Sequence, residues 1–184
     1  MRNRSGAWIL LLLCGWLVAE EFSPDKASRV DDFLTRVARR RSSGIFLKKA
    51  TFSEEEINSY LNLIYLKRNA PEVVYISLGL KENNRVGGTM KIKLTNRIYD
   101  AVPSFLRDIS VQFDGRVECA SYRMRYLFDK LIINGASFAP ELLDEAFAAA
   151  QVRVKVKRSL FDWFALLPGL KNAVICEKAI TFFY

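Results

Sequence analysis

The spacing of hydrophobic residues changes period several times along the chain, and each change marks an element. Ser23-Pro24-Asp25 supplies an N-cap, a first-turn proline and an early acid, after which Val30, Phe33, Leu34 and Val37 recur at helical spacing up to Arg39-Arg40-Arg41. This predicts an amphipathic helix ended by Ser42-Ser43-Gly44, with its basic end at the negative pole of the helix dipole. Ile45 to Phe52 reads as a short extended segment. Ser53-Glu54-Glu55-Glu56 is then a capping box, in which Ser53 reaches the Glu56 amide and Glu56 reaches back. The second helix that follows carries Ile57, Tyr60, Leu61, Ile64 and Tyr65 on one face, and Asn69-Ala70-Pro71 closes it.

From Glu72 the period falls to two. Val74, Ile76, Leu78 and Leu80 share a face, a polar turn at Glu82-Asn83-Asn84 follows, and Met90, Ile92 and Leu94 return, which predicts a β-hairpin. Ser110 to Phe113, Asp114-Gly115 and Val117 to Ser121 predict a second, because Asp-Gly favours tight antiparallel turns. Tyr122, Met124, Tyr126 and Phe128 continue the alternation with Arg123 and Arg125 between them, so the sheet is antiparallel and apolar on one side. Leu131-Ile132-Ile133 meets a turn at Asn134-Gly135, and Ala139-Pro140-Glu141 opens a third helix with Leu142, Leu143, Ala146, Phe147 and Ala150. Val152 to Lys157 alternates like a strand, but with no breaker before it the helix is expected to run to about Lys157. Leu167-Pro168-Gly169 is a break, and Ala173 to Tyr184, with Val174, Cys176, Ile180 and Phe182 apolar, forms one or two closing strands.

The beginning of the chain reads differently. Arg2 and Arg4 precede an uncharged run from Ser5 to Ala19 centred on Trp8-Ile9-Leu10-Leu11-Leu12-Leu13, and acids start at Glu20. That is the pattern of a secretory signal peptide with cleavage after Ala19, and the run falls short of the roughly 20 residues that span a bilayer. A retained N-terminal anchor is the alternative. Leu13 stands where a lipid-attachment signal at Cys14 needs a small residue, so lipidation is not expected. The organisation is thus a leader over 1–19, an N-terminal helix within 20–44 and an α+β domain over 45–184.

The 184 residues include 28 Lys+Arg, 20 Asp+Glu and no His, with 51% hydrophobic and 12% aromatic residues. This composition excludes disordered and collagen-like chains and supports one domain that buries roughly 70% of its unfolded surface, with no metal or disulfide staple required. Loss of the leader would remove Arg2 and Arg4 but no acid, leaving the chain basic. Cys119 and Cys176 would then remain for an oxidising compartment, as a disulfide or as two buried thiols.

Without histidine, Ser-His-Asp and Cys-His nucleophiles and imidazole zinc sites are excluded. The acids show no spacing that singles out a catalytic pair. Val86-Gly87-Gly88-Thr89-Met90-Lys91 lacks the phosphate-loop spacing and sits in a hairpin, and Cys119 has no CxxC neighbour. A non-enzyme without cofactor or metal is expected. What remains is a pattern: Met90-Lys91-Ile92-Lys93-Leu94 and Tyr122-Arg123-Met124-Arg125-Tyr126 put long apolar groups on one face of a sheet and cations on the other. Either the apolar face is ordinary core and the cations protect an edge, or the face lines an apolar pocket with a rim for anionic headgroups. Trp163 and Phe164 suit a pocket mouth, a membrane interface or a core. Nucleic acid is not expected as a partner, because export argues against it and Tyr126-Leu127-Phe128 lacks the RNA-recognition glycine pattern.

Thr51-Phe52-Ser53-Glu54-Glu55-Glu56-Ile57-Asn58-Ser59-Tyr60-Leu61 resembles the start of exported bacterial proteins in which a strand leads into a capped Glu-Ile/Leu-Asn helix. Leu131-Ile132-Ile133-Asn134-Gly135 through Pro140-Glu141-Leu142-Leu143, and Leu167-Pro168-Gly169-Leu170-Lys171, are similar to the later parts of that pattern. Such proteins resemble one half of the tubular lipid-binding, or bactericidal/permeability-increasing-like, superfamily. The resemblance implies a curved antiparallel sheet wrapped around one or more helices and enclosing a groove for acyl chains. The expected groove residues are Ile76, Leu78, Met90, Ile92, Met124, Tyr126 and Phe128, with Lys91, Lys93, Arg123 and Arg125 contacting an anionic membrane surface. The expected protein is secreted or periplasmic and binds a lipid or other apolar molecule. The alternative is a filled-core envelope scaffold or protein-interaction module.

Overall fold

The structure, a computed structural model, describes residues 22–39, 48–93, 108–120, 122–142, 144–145, 159 and 161–184. The expected leader, the Ser42-Ser43-Gly44 helix end and the 152–157 stretch lie outside the described residues. Helix α1 spans Pro24–Arg39. Strand β1 (Lys49–Ser53) leads into α2 (Glu54–Tyr60), a π-helical turn (Leu61–Tyr65) and α3 (Leu66–Asn69). Strands β2 (Val73–Lys81), β3 (Arg85–Lys93), β4 (Asp108–Ala120), β5 (Arg123–Ile133) and β6 (Ala136–Phe138) follow, then β7 (Phe164–Ala165), β8 (Asn172–Cys176) and β9 (Ala179–Phe183). Residues 140–142 and 144–145 are helical, where the third helix is expected. The strands form two open antiparallel sheets, a large one ordered β2-β3-β4-β5-β6 with β7 also beside β5, and a small one ordered β1-β9-β8.

The periodicities hold where they are strongest. Ser53 and Glu56 make the reciprocal capping box, with the Glu56 N–H donating to Ser53 Oγ at 3.2 Å and the Ser53 N–H to Glu56 Oε2 at 2.7 Å. Asn134 (φ 48°) and Gly135 (φ 82°) form the β5–β6 turn in the left-handed conformations that Asn and Gly tolerate. The closing segment is two strands, β8 and β9, turned at Lys178 (φ 56°).

One predicted hairpin is wrong. Asp114-Gly115 is no turn but the middle of the continuous strand β4, where Asp114 faces Gly87 and Gly115 faces Val86 on β3. The physical reason is crowding from β5, whose register against β4 slips between Asp114 and Gly115. A Cβ on Gly115 would lie 2.1 Å from the Leu127 carbonyl oxygen and 2.9 Å from the Tyr126 ring. Glycine lets Tyr126 lie across β4 and donate its hydroxyl to the Val86 carbonyl on β3 at 2.6 Å. Asp114 spends its carboxylate on Lys81 and on Arg85, the latter at 2.5 Å. The chain turns back instead at Tyr122, a non-glycine residue with φ 68°.

Two buried clusters hold the layers together. In the first, Val30, Phe33 and Val37 of α1 pack on Phe52 and Leu170, flanked by Ile180, Phe182 and Tyr184. The Phe33 ring lies 5.0 Å from Phe52, 5.2 Å from Tyr184 and 6.0 Å from Phe182, centroid to centroid. At the expected break, Gly169 (φ 89°) passes so close to α1 that a Cβ there would sit 2.5 Å from the Val37 carbonyl. In the second cluster Ile175 of β8 packs on Leu80, Val86 and Val117 of the large sheet. Asn84 ties the sheets together beside it, its amide N–H donating to Ile175 O at 3.3 Å and its Oδ1 accepting from the Ile175 N–H at 2.7 Å.

The outer edge of β2 is closed by side chains of the second helical segment. Glu54 accepts from the Leu80 N–H. Asn58 accepts from the Leu78 N–H at 2.8 Å and donates to its carbonyl at 2.9 Å, and Asn62 does the same for Ile76 at 3.0 and 2.6 Å. The match is metric, because four helical residues rise about 6 Å while two strand residues advance about 6.7 Å. Successive four-residue steps in an α-helix also rotate by about 40°, and the π turn, which winds less per residue, offsets that drift. An exposed strand edge is thereby capped by polar groups that mimic a neighbouring strand.

Candidate functional site

Strand register decides which side chains share a surface. Across the large sheet Ile76 pairs with Met90, Leu78 with Gly88, and Ile92 with Ile109, while Met124, Tyr126 and Phe128 oppose Cys119, Val117 and Gly115. With period-two alternation, and allowing for the bulge in β5, all seven expected groove residues fall on one face, and all are half-buried.

That face is divided. At one end Leu78, Met124 and Tyr126 pack against the buried cluster around Ile175, together with Phe113 and Cys119. Here the sheet face is core. Phe128 sits beside it, with its ring 4.6 Å from Tyr126 and 6.4 Å from Phe161, both edge to face. At the other end Ile76, Met90 and Ile92 belong to neither cluster, and Val111, the cross-strand partner of Met90 on β4, is buried outside both as well. This end offers a half-buried strip of flexible and branched apolar side chains.

The cationic residues lie on the opposite face, as their alternation requires, but not as one patch. Lys91 stands opposite Ser110 and Arg125 opposite Glu118 on β4, so the lysine and arginine pairs are about 27 Å apart at about 3.4 Å per residue. Between them Lys81 and Arg85 bind Asp114, and Arg85 also reaches Asp129 at 2.8 Å. The Lys81 ammonium holds the Asp114 carboxyl below its ordinary range. Whatever this pairing contributes is present above the ordinary carboxylate range and is lost as pH falls through the lowered folded-state value. Arg125 is committed locally, bonded to Glu118 at 2.8 Å with its guanidinium 4.7 Å over the Trp163 ring. Lys91, Lys93 and Arg123 are exposed and have no ion-pair partner among the described residues.

A trough of about 420 Å³ opens on this polar face. Gly79 and Gly87, paired across β2 and β3, form its floor, and Lys81, Thr89, Gln112, Asp114 and Lys130 stand around it. Of the seven expected groove residues only Leu78 contributes to its wall. Its volume falls within the range of ligand sites, roughly 300–1,000 Å³, and Leu78, Phe113 and Ile132 add apolar lining between its polar side chains.

Burial raises the Tyr126 hydroxyl well above the ordinary tyrosine range, with Asp114 and Asp129 adding to the effect, so it remains a neutral donor to Val86. Cys119 and Cys176 are separate free thiols, and burial pushes the half-buried Cys119 upward while Cys176 is exposed. Among the described residues no cluster of three or more Cys, Asp or Glu could hold a metal, and no helix is long and apolar enough to cross a membrane.

Sequence reasoning missed the polar ladder of Glu54, Asn58 and Asn62. Its signal was available, since an acid and two amides at i, i+4 and i+8 sit on a helix beside a predicted strand. No protein-family model matches the chain, and no curated protein matches it.

Proposed function

We propose that this protein is an exported, non-enzymatic binder of a lipid or other apolar molecule, which lies against the apolar face of the large sheet. In this reading the sheet curves over its helices as in one half of the tubular lipid-binding superfamily, and cargo occupies the end formed by Ile76, Met90 and Ile92. The observation that carries the reading is the half-burial of that strip outside both packed clusters. Unbranched Met90 beside branched Ile76 and Ile92 suits an acyl chain, because methionine adapts to irregular apolar partners.

Native mass spectrometry of the protein purified from its own host tests this. A co-purifying adduct of lipid mass, released by chloroform–methanol, is the expected result. A bare polypeptide mass under conditions that preserve the fold, together with an empty extract, would overturn it.

A second reading is a filled-core scaffold or interaction module in the cell envelope. It is favoured by the packing of Leu78, Met124 and Tyr126 around Ile175, which leaves that end of the face no room for cargo.

A further inference from the structure

Among the described residues, four of the eight exposed large hydrophobic ones lie at one end of the large sheet: Tyr122 is 58% exposed, Trp163 38%, Phe164 41% and Leu167 48%. The backbone brings them to one edge, with Trp163 under Arg125 on the cationic face and Phe164 on the face of Met124. Strand β7 pairs with the start of β5, Ala165 facing Arg123 and Phe164 facing Met124. The Leu166 N–H donates to the Tyr122 carbonyl at 2.9 Å, and the Tyr122 N–H to the Lys171 carbonyl at 3.3 Å.

Three independent features mark this end. Tyr122 holds φ 68°, where Asn or Gly is the ordinary choice and a bulky side chain is strained, so an aromatic ring is displayed at a turn that does not favour it. The Tyr122 N–H and carbonyl and the Leu166 N–H are bonded within the protein, so they enter a low-dielectric medium without being stranded. The charge beside the rings is basic. Arg123 is exposed and unpaired among the described residues, Arg125 lies over Trp163, and Glu118 is neutralised by Arg125. Asp162, the nearby acid, accepts from the Ser159 N–H at 2.7 Å.

We propose that this end, presenting Tyr122, Trp163, Phe164 and Leu167 with Arg123 beside them, docks on an anionic lipid bilayer. Aromatic and aliphatic side chains enter the interface and the arginine meets headgroup phosphates, the division of labour of interfacial anchors. The inference goes beyond the lipid-binding reading: docking is assigned to the packed end of the apolar face, where Phe164 lies across from Met124, at the far end of β4 from the strip of Ile76, Met90 and Ile92, and it needs no bound cargo. It also separates the two basic pairs, because the arginine end carries the exposed rings and the Lys91–Lys93 end is not needed for docking.

The test uses the full chain and vesicles of brominated phosphatidylglycerol or brominated phosphatidylcholine. The fluorescence difference between the parent protein and Trp163→Phe isolates Trp163 from Trp8 and Trp16. Trp163 should lose about half its emission in the phosphatidylglycerol vesicles and little in phosphatidylcholine. Leu167→Asp should restore the emission. Arg123→Gln should weaken partitioning about fivefold, equivalent to about 1 kcal/mol for one cation at an anionic surface. Lys91→Gln should leave it unchanged. Equal Trp163 emission in brominated and unbrominated vesicles, or quenching indifferent to Leu167→Asp, would overturn the docking surface. Native mass spectrometry of the same samples separates the two ideas: lipid retained by a Leu167→Asp protein that no longer docks supports both, and tip-dependent quenching by a protein without bound lipid removes only the cargo.

Discussion

Replacing Phe33 with alanine should lower the unfolding free energy by about 3–5 kcal/mol, the usual cost of deleting a buried aromatic ring. Phe33 is 5% exposed and touches three other rings, from β1, β9 and the C-terminal Tyr184. The void left behind would adjoin an existing gap of about 80 Å³ lined by Phe33, Arg36, Val37 and Tyr184, so the surroundings have little material with which to collapse. At about 2–4 °C per kcal/mol for a chain of this size, the melting temperature should fall by roughly 6–20 °C. Urea titration of the parent and the Phe33→Ala variant measures it. A loss below about 1 kcal/mol would mean that α1 is an appendage rather than a wall of the first cluster.

Asn58→Leu should produce the second large effect, and by a different route. Asn58 is 3% exposed and satisfies both the N–H and the carbonyl of Leu78 on the outer edge of β2. Leucine preserves bulk but strands both groups, at about 1–3 kcal/mol each, so a loss of about 2–6 kcal/mol is expected. Hydrogen exchange gives the result its location. The Leu78 amide should lose protection, while the Gly79 amide, which faces β3, should keep most of its own relative to global unfolding. Unchanged protection at Leu78 would show that the edge is closed by something other than the helix ladder.

Much of this architecture is legible in the residues because local chemistry determines it. Ser53 and Glu56 can satisfy each other without tertiary help, and Asn134-Gly135 takes its turn through conformations those residues already favour. The failure at Asp114-Gly115 has the opposite origin. Both readings, turn and close approach, suit that glycine, and the choice is made by Tyr126 on a neighbouring strand and by Lys81 and Arg85 on two others. The same limit applies to the candidate site. Alternation puts Ile76, Met90, Ile92, Leu78, Met124 and Tyr126 on one face, but only the position of Ile175, distant in sequence, divides that face into a packed end and a separate strip. Likewise, alternation gives Arg125 the face of Lys91, whereas its capture by Glu118 depends on the β4–β5 register and its stacking on Trp163 on where β7 attaches.

The most direct test of apolar cargo is residue-resolved photolabelling with a diazirine-bearing fatty acid, competed by an unlabelled one. Cross-links should concentrate on Ile76, Met90 and Ile92, disappear under competition, and spare Thr89, Gln112 and Lys130 around the polar trough. Labelling confined to the trough residues, or none that competitor removes, would contradict an acyl chain held on the apolar face.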